Sequence, residues 1–594
     1  MNSWNEVQEI LGKANDGKHS TCIKVVDSLN KVEDTWFTKS SIRFLRNYTL
    51  ETLEPFLKLA GYRSGIKISV SFSDYDNYQQ EVLDVSSLLH TNQPDMIVLS
   101  LWLDNMLIAF DKQGRLQTNA VLDHVTFLID KIKQQISSQI AINTFLQPIH
   151  HTGLGQEMRE LITINQRLRD FTLEDNRLML VDFDRLVGEV GLDNTLDLRY
   201  WFIYKSPLKT DFLQLWAAQL AQGVASIKGR TKKVLVLDCD NTLWGGILGE
   251  DGFNGIKLDA HEYPGNVYHT FQKQILELQR NGVLLALCSK NNESDVMTVL
   301  DTHPDCLIHQ EHLASWQINW ENKVDNLKSL AQRLNIGLDS FVFIDDNPVE
   351  CEMVRNALPI VDVLQIPSKL YELPKLLQKY RGFNQLVNTS EDSYRTSLYQ
   401  TERLRKTEAD QYLDIDSFLA SLQLVAEIGE ALPNELDRVT QLTQKTNQFN
   451  LTTRRYSQGE IERLYSSQEH LILIMKVADK YGDYGLTGLA ILVKNGDECR
   501  IDTFLMSCRI LGRKLEDVFL KEMLQTVTDK WGNLHITAEY VKTQKNHQVV
   551  DFFDRRCFTL IKESNEKRSY VFHYQSQLSS DLPNYPNYIK IIRR

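Results

Sequence analysis

The sequence predicts an α/β protein in three successive blocks, the first two built on parallel sheets and the last of mixed α+β type. One observation is a series of continuous apolar runs, such as VLVLD at 234–238 and VLLALCS at 283–289, that alternate with helical stretches. Another is the change after about residue 410, where further strands surround one strong helix, LEDVFLKEMLQTVTDKW. The blocks are separated by a basic segment at 227–233 and by a charge-rich stretch at 387–410, which is predicted to be a linker helix.

The composition is that of a folded globular protein. The chain of 594 residues is 42% hydrophobic and 24% charged, which excludes fibrous and disordered classes. No apolar stretch approaches the roughly 18 residues of a membrane span, and the polar N-terminus is unlike a secretory signal. The net charge of −12 argues against a general nucleic-acid binder. We therefore expect a cytoplasmic protein with no membrane or nucleic-acid partner, whose slightly basic residues 431–594 would meet an acidic partner.

The first block, residues 1–226, mixes helices with buried strands. Its predicted strands are the apolar runs IKISVSF at 67–73, DMIVLSL at 95–101 and AINTFLQ at 141–147. Continuous apolar strands between helical stretches indicate a parallel sheet.

The second block, residues 230–386, places polar residues at the ends of its apolar strands. VLVLD, VLLALCS and FVFIDD at 341–346 each end in this way. Ligands of open α/β sheets bind at the carboxyl ends of the strands, so these three ends should converge on one crevice.

The segment DCDNT at 238–242 directly follows the first of these strands. Its two carboxylates suit aspartyl-phosphate chemistry, in which Asp238 attacks phosphorus and Asp240 protonates the leaving group and then activates water. Carboxylates that face a phosphate require a cation, so Mg²⁺ is the expected cofactor. Its candidate ligands are Asp238, Asp240, Asp345 and Asp346.

Three further residues are candidates for holding the phosphate. Thr242 belongs to the first motif, and Ser289 follows the second strand, where its hydroxyl can donate to a phosphoryl oxygen. Lys323 opens the helix NKVDNLKSLAQRL and can oppose developing negative charge, although Lys290 is an adjacent rival.

The order of D-x-D-x-T, strand-Ser, Lys and strand-Asp-Asp resembles the four motifs of the haloacid dehalogenase (HAD) superfamily, which implies a Rossmann-like parallel-sheet domain. The surrounding VLVLDCDNTLWGGILGEDG, LLALCSKNNE and WENKVDNLKSLAQRLNIGLDSFVFIDDNPVE resemble the FkbH-like family. That resemblance implies a glyceryl transferase/phosphatase of polyketide pathways. Such an enzyme captures and dephosphorylates 1,3-bisphosphoglycerate and passes the glyceryl group to the phosphopantetheine thiol of an acyl carrier protein.

The connection between the first two strands of this block is short and contains a glycine-rich flap. It leaves no room for a large cap domain, so we expect a site open to a macromolecular acceptor. The flap glycines are Gly245, Gly246, Gly249 and Gly252.

Thioester transfer requires a thiol, and Cys239 is the candidate because it lies between the two aspartates. Strand alternation points its side chain into the core, so an ordinary apolar role is an equal alternative. Cys288 and Cys508 are rivals for the thioester.

The third block, residues 411–594, resembles a GNAT-like α+β acyltransferase domain. The strand FLMSC runs into RILGRK and then a helix, and a helix N-terminus with basic neighbours suits a phosphate. Cys557 stands where the family's last motif has Gly, so a carrier-protein arm fits better than acetyl-CoA, and solvated basic faces are the alternative. The candidate arm-binding residues are Arg509, Gly512, Arg513 and Asn546.

The first block resembles the SGNH-like α/β domain that often precedes FkbH-type HAD domains, through SIRFLRNYTLETLEPFL, QPDMIVLSLWLDNML and DLRYWFIYKSPL. An SGNH hydrolase needs a nucleophilic Ser after its first strand and an Asp-x-x-His pair. Asn47-Tyr48-Thr49 occupies the place of the Ser, and Asp197 has no His three residues later. The resemblance therefore implies a degenerate hydrolase that acts as a scaffold or docking domain.

Glyceryl loading of a carrier protein is the favoured function, and two alternatives stay open. One is a free-standing Mg²⁺-dependent HAD phosphatase that acts on a small phosphorylated metabolite. The other is a docking scaffold for carrier proteins without enzyme activity.

Overall fold

The computed structural model describes residues 4–14, 17–32, 36–152, 155–384, 395–409, 412, 414–543, 545–572 and 586–594. The chain divides into two compact units. The first comprises Met1–Arg230, Asn384–Val387 and Tyr456–Arg463, and the second comprises Thr231–Phe383, Asn388–Arg455 and Leu464–Arg594. The basic segment at 227–233 lies at the boundary between the units, and most of the second and third predicted blocks share one unit.

The first unit is organised around a five-stranded parallel sheet. Its strands lie in the order β2-β1-β3-β4-β5, and every residue of β3 and β4 is buried, as in a parallel sheet covered on both faces. The three strands predicted in this block correspond to β2, β3 and β4. The bounds are β1 (Thr38–Arg46), β2 (Ile66–Phe72), β3 (Met96–Ser100), β4 (Gln139–Asn143) and β5 (Leu178–Val181).

The second unit contains another five-stranded parallel sheet, in the order β10-β9-β6-β7-β8. All residues of β6, β7 and β9 are buried, because these are the continuous apolar runs of the sequence. The predicted α/β class with parallel-sheet domains is thus confirmed. The bounds are β6 (Val234–Leu237), β7 (Leu284–Ser289), β8 (Leu313–Ile318), β9 (Phe341–Asp345) and β10 (Asp362–Gln365).

A nine-stranded mixed sheet completes the second unit. Neighbouring strands are antiparallel except for the β15–β16 and β11–β19 pairs. The order is β17-β18-β16-β15-β14-β13-β11-β19, and β12 also pairs with β15. The bounds are β11 (Leu424–Glu430), β12 (Phe449–Asn450), β13 (His470–Asp479), β14 (Gly482–Asn495), β15 (Glu498–Met506), β16 (His535–Val541), β17 (Thr559–Glu563), β18 (Lys567–Phe572) and β19 (Ile589–Arg593).

The parallel strands β15 and β16 pair only at their beginnings, up to Ile501 and Ala538. Beyond that point the segment around β12 lies between them. The Leu451 amide donates to the Phe504 carbonyl at 3.1 Å, and the Val541 amide donates to the Leu451 carbonyl at 2.8 Å. The gap between the two strands is therefore filled by the chain itself.

Helices connect the strands of both parallel sheets and flank the mixed sheet. None of those in the described residues is long and apolar enough to cross a membrane. The first unit contains α1 (Trp4–Gly12), α2 (His19–Leu29), α3 (Glu54–Arg63), α4 (Tyr78–Leu83), α5 (Leu88–Asn92), α6 (Thr118–Gln135), α7 (Gln156–Leu173), α8 (Phe183–Val190), α9 (Leu198–Tyr204) and α10 (Thr210–Ile227). The later helices are α11 (Leu248–Asp251), α12 (Gly265–Arg280), α13 (Glu293–Thr302), α14 (Lys323–Leu334), α15 (Pro348–Ala357), α16 (Leu373–Lys379), α17 (Arg395–Ala409), α18 (Ile415–Ser421), α19 (Leu436–Lys445), α20 (Gln458–Ser466) and α21 (Leu515–Trp531).

Helix α17 corresponds to most of the linker helix predicted at 387–410; residues 387–394 and 410 lie outside the described residues. It is packed rather than solvated. Tyr399 is buried in the core of the parallel sheet, and the Arg405 guanidinium forms two hydrogen bonds with the Asp479 carboxylate of β13, at 2.8 and 2.9 Å. The helix thus connects the two sheets of the second unit.

Candidate active site

The ends of three adjacent strands bring the predicted motifs together. Strand β6 lies between β9 and β7, with Leu237 opposite both Leu287 and Ile344. Because all three strands run in the same direction, the residues that follow them lie at one edge of the sheet. Asp238, Ser289 and Asp345 occupy that edge.

An acidic centre forms around Lys323, at the first turn of α14. The Lys323 ammonium lies 2.5 Å from the Asp345 carboxylate and 3.1 Å from the Asp238 carboxylate, and all three side chains are buried. One oxygen each from Asp238, Asp345 and Asp346 lies within 4.8 Å of the others. We call these three aspartates and Lys323 the acidic centre; its carboxylates outnumber its cation by two.

Burial and proximity shift the titration of this group. Burial, together with the neighbouring Asp345 carboxylate, raises the pKa of Asp238 above the usual range of an aspartate. Burial and Asp345 likewise raise the pKa of Asp346. Burial opposes the charge of Lys323, but Asp238 and Asp345 keep its pKa above the ordinary value. A site that concentrates unneutralised carboxylates in this way fits a divalent cation with oxygen ligands.

The fourth predicted metal ligand, Asp240, is held apart from this group. Its carboxylate accepts hydrogen bonds from Trp244 Nε1 at 2.9 Å, the Leu248 amide at 3.1 Å and Asn291 Nδ2 at 3.0 Å. The structure therefore gathers three of the four predicted carboxylates, whereas the Asp240 side chain lies beside them in a position suited to proton transfer.

Both predicted phosphate-binding hydroxyls are buried, and that of Ser289 forms a hydrogen bond with the Asp238 carboxylate. Ser289 is buried at the end of β7 and accepts from Asn291 Nδ2 at 3.1 Å. Thr242 is fully buried, and its Oγ1 has no hydrogen-bond partner among the described residues. A buried hydroxyl without a partner is unfavourable, and a bound phosphoryl oxygen would satisfy it.

Lysine 323, and not its rival Lys290, belongs to the centre. The Lys290 ammonium lies 2.6 Å from the Glu350 carboxylate of α15 and is 40% exposed. Strand alternation explains the difference, because Lys290 follows Ser289 and points to the other face.

Two residues at the site, Asn291 and Trp244, were not identified from the sequence. Each donates a hydrogen bond to the Asp240 carboxylate and so fixes its orientation. The sequence does contain one sign of the role of Asn291. It lies two residues beyond Ser289, so in an extended chain both side chains point to the same side.

Cys239 packs into the hydrophobic core, although its thiol lies close enough to Ser289 to form a hydrogen bond. Its side chain is fully buried in the hydrophobic core with Leu237 and Leu243, and burial raises the pKa of its thiol well above the ordinary value. Cys288 is also fully buried, and its pKa is also raised by burial. The candidate thioester on Cys239 stays a prediction; a buried, protonated thiol favours the apolar alternative.

The connection between β6 and α12 forms a small flap, as predicted. An antiparallel bridge joins Gly245 to Lys257, and Gly246 has a φ of +95° that a side chain would strain. Within residues 155–384, all of which the structure describes, no additional domain interrupts the parallel sheet. The acidic centre has no large cap.

The four predicted carrier-arm residues do not form one site. The Asn546 amide is fully buried and donates to the Asn450 and Val541 carbonyls at 2.9 and 2.8 Å. Arg513 is buried 3.8 Å from the Asp479 carboxylate. Gly512 is exposed with a φ of +79°, and Arg509 lies on a cavity beside Ser507. Asn546 and Arg513 thus stabilise the mixed sheet, which leaves Arg509 as the one of the four that faces a cavity.

The first unit shows no nucleophile where an SGNH hydrolase would carry it. Asn47 is buried and exchanges hydrogen bonds with the Trp102 backbone, at 2.7 and 3.1 Å. The Tyr48 hydroxyl lies 2.8 Å from Ser100 Oγ, and Asp197 caps α9 by accepting from the Tyr200 amide. These groups have structural roles, and the SGNH-like resemblance of this unit stays a prediction.

Comparisons with known proteins place the family resemblance in the second unit. Residues 233–387 match the family described as "NIF: NLI interacting factor-like phosphatase". None of the curated proteins compared with the chain matches it.

Among solved structures, the N-terminal part of BF1531 from Bacteroides fragilis, which contains a phosphatase domain and was complexed with Mg, matches with a TM-score of 0.56 and 24% identity over 61% of this chain and 98% of its own. This shows a shared fold, and the predicted use of Mg²⁺ agrees with it.

A putative GNAT-family acetyltransferase from Desulfovibrio desulfuricans matches with a TM-score of 0.21 and 13% identity, over 25% of this chain and 98% of its own. The ribosomal-protein-S18-alanine N-acetyltransferase of Escherichia coli matches with a TM-score of 0.20 and 10% identity, over 25% of this chain and 90% of its own. The GNAT-like fold stays a prediction, whereas residues 233–387 form a NIF-like phosphatase domain of the HAD superfamily.

Proposed function

We propose that the second unit is a Mg²⁺-dependent phosphatase that acts through an aspartyl-phosphate on Asp238. The observation that carries this proposal is the acidic centre, in which three carboxylates lie within 4.8 Å of one another with one buried ammonium. The Thr242 hydroxyl, four residues after Asp238, is buried without a partner among the described residues. This arrangement can hold a divalent cation and a phosphoryl group together.

Each residue has a role that follows from its contacts. Asp238 attacks phosphorus, and Lys323, which lies 3.1 Å from it, fixes the carboxylate and opposes the negative charge that develops. Thr242 and Ser289 donate hydrogen bonds to phosphoryl oxygens. Asp240, oriented by Trp244 and Asn291, protonates the leaving oxygen and then takes a proton from the water that hydrolyses the aspartyl-phosphate. When bound by Asp238, Asp345 and Asp346, Mg²⁺ supplies positive charge that offsets the repulsion between phosphate and carboxylates.

The proposed substrate is 1,3-bisphosphoglycerate, whose glyceryl group passes to the phosphopantetheine thiol of an acyl carrier protein and supplies a polyketide building block. The FkbH-like motifs support this assignment, as does an acidic centre without a large cap that a carrier protein could approach. Because Cys239 and Cys288 are buried, the carrier thiol would attack the C1 carbonyl directly, losing its proton and expelling the C1 phosphate. The acidic centre would remove the C3 phosphate through the aspartyl-phosphate on Asp238, which leaves the glyceryl group on the carrier.

A free-standing phosphatase on a small phosphorylated metabolite is the second candidate, because the same acidic centre would serve it. Intact-mass measurement of a holo carrier protein separates the two. With Mg²⁺ and 1,3-bisphosphoglycerate, a gain of one glyceryl group on the carrier is expected. Phosphate release without that gain would favour the free-standing phosphatase, and neither event would favour a docking scaffold.

Substitution of Asp238 tests the phosphatase assignment itself. Because Asp238→Asn removes the nucleophile and changes little in shape, phosphate release should fall by about 1,000-fold or more. The matched control is Asp325→Asn, on the exposed side of α14, where Asp325 pairs only with Lys328. An unchanged rate in the Asp238→Asn variant would refute the assigned role.

A further inference from the structure

A second cavity lies at the opposite edge of the parallel sheet from the acidic centre. It has a volume of about 320 Å³ and lies between that sheet and the mixed sheet, both within the second unit. Lys233 immediately precedes β6 and Ser340 immediately precedes β9, so the cavity adjoins the amino ends of the strands whose carboxyl ends carry Asp238 and Asp345. We call this cavity the cationic pocket.

The lining of the cationic pocket is strongly positive. A single carboxylate, that of Asp339, faces it among the lining residues, and it forms an ion pair with Lys545. The cationic side chains on its wall are Lys233, Arg395, Arg438, Lys445, Arg509 and Lys545. They come from five separate segments of the chain, so local sequence does not explain the clustering.

Lys233 shows the electrostatic cost of this arrangement. It is 7% exposed, and its ammonium donates to the Lys445 carbonyl at 2.8 Å. Burial, followed by repulsion from Arg395 and Lys545, lowers the pKa of Lys233 to about 7, although Asp339 and Cys508 oppose the shift. Burying like charges close together is energetically unfavourable. A bound anion would offset the repulsion between them and favour the charged form of Lys233.

The remainder of the wall is partly apolar. Tyr399, Leu442, Phe449 and Met506 contribute carbon surface, and Asn335 and Asn447 add amide groups. A pocket lined by both cationic and apolar side chains fits an organic anion better than an inorganic ion.

We propose that the cationic pocket binds an organic phosphate monoester, as a site separate from the acidic centre. Such a group carries nearly two negative charges near neutral pH and offers several acceptor oxygens to guanidinium and ammonium donors. Lys233 and Asp238 are five residues apart along an extended strand, which corresponds to about 17 Å, so one small phosphate ester cannot reach both. The proposal does not rest on the phosphatase assignment.

Cys508 supplies a local probe of occupancy. It lines the cationic pocket and is half-buried, whereas Cys557 is exposed and lies outside the lining; the other six cysteines are buried. In the full-length Asp238→Asn variant, which the proposed mechanism makes unable to hydrolyse the ligand, alkylation by iodoacetamide can be followed at Cys508 and Cys557 by peptide mass spectrometry.

The ligands form two matched pairs. 3-Phosphoglycerate with glycerate represents a free metabolite, and 4′-phosphopantetheine with pantetheine represents a carrier-protein arm. We expect the phosphorylated member of at least one pair to slow alkylation of Cys508 about fivefold or more, with no change at Cys557 and no protection by the unphosphorylated member. The pair that protects identifies the source of the phosphate.

Two charge substitutions test the pocket itself. Arg509→Gln and Lys233→Met should each raise the ligand concentration that gives half-maximal protection by roughly tenfold or more, because each removes a charge-assisted contact. Lys562→Gln, on the exposed strand β17, is the control and should leave protection unchanged. Circular dichroism is needed to check that the variants fold. If the Lys233→Met variant does not fold, the Arg509→Gln variant alone provides the test. The proposal would be overturned if neither phosphorylated compound protects Cys508, or if the unphosphorylated compounds protect it equally well.

Discussion

The acidic centre and the cationic pocket are opposite in charge and lie at the two ends of the same strand, β6. In the acidic centre, one buried lysine lies 2.5 and 3.1 Å from two carboxylates. In the cationic pocket, a lysine of similar burial has a backbone carbonyl as its hydrogen-bond acceptor, with Arg395 and Lys545 as charged neighbours. The charge around each lysine, and not its burial, therefore decides whether it stabilises the fold.

This difference has a functional counterpart. Surplus carboxylates suit a metal cation, and surplus lysines and arginines suit an anion. Each site contains more side chains of the charge opposite to that of its proposed ligand than of the same charge, so stability measurements without ligands report on both sites.

Lys323→Met should give the largest effect. It leaves the buried Asp238 and Asp345 carboxylates without their cation, so we expect a loss of about 3 kcal/mol of stability together with loss of phosphatase activity. Thermal unfolding measures the first, and Mg²⁺ should raise the melting temperature of the variant more than that of the parent. Lys328→Met, on the exposed side of the same helix, is the control. Equal melting temperatures for parent and Lys323→Met protein without Mg²⁺ would contradict this account.

Lys233→Met should shift stability in the other direction. Replacement of a buried, repelled ammonium by an apolar side chain of similar length should stabilise the protein without ligand by about 1–2 kcal/mol, net of the lost hydrogen bond to Lys445. Thermal unfolding at pH 6.5 measures the change. A lower melting temperature would show that the hydrogen bond outweighs the repulsion.

The same lysine predicts a pH dependence. Its pKa is about 7 in the folded protein and about 10.4 when unfolded, so the unfolded state binds more protons between these values. Stability should therefore rise with pH across this window. The stabilisation given by Lys233→Met should shrink from pH 7 to pH 9 in unfolding experiments. An advantage that stays constant over this range would place the pKa of Lys233 near its ordinary value.

Cys239→Ala should give the smallest effect. Because the thiol is buried and its raised pKa keeps it protonated, phosphate release and glyceryl transfer should stay within about twofold of the parent, with a stability loss of about 1 kcal/mol. Intact-mass analysis of the carrier protein and a phosphate assay measure both activities. Loss of transfer with retained phosphate release would restore Cys239 as an acyl carrier.

The acidic centre was largely predictable because its residues follow strands. VLVLD, VLLALCS and FVFIDD are continuous apolar runs, and parallel pairing brings Asp238, Ser289 and Asp345 together without further information. Asn291 was missed because its contact with Asp240 depends on the turn after β7. Four strands of the parallel sheets, β1, β5, β8 and β10, were missed. TKSSIRFLR begins with polar residues, β5 has only four residues, LASWQI is interrupted by Ser315 and Gln317, and all four residues of β10 are only half-buried.

Of the residues that line the cationic pocket, Arg509 was the one predicted from the sequence to bind a ligand. Lys233, Arg395 and Lys545 lie far apart in the sequence, and a basic residue gives no sign of its distant neighbours. The four residues predicted to bind the carrier arm also do not form one site. The Asn546 side-chain amide donates instead to the Asn450 and Val541 carbonyls, next to the point where β12 lies between β15 and β16.

The placement of both sites on β6 has a kinetic consequence. A phosphate ester in the cationic pocket and a substrate at the acidic centre occupy different edges of the sheet, so neither can displace the other. Any effect of the pocket's ligand on turnover would therefore appear in kcat and not as a competitive rise in KM. Two short covalent paths join the sites, from Lys233 to Asp238 along β6 and from Ser340 to Asp345 along β9, so such an effect would be transmitted along the rigid interior of the sheet.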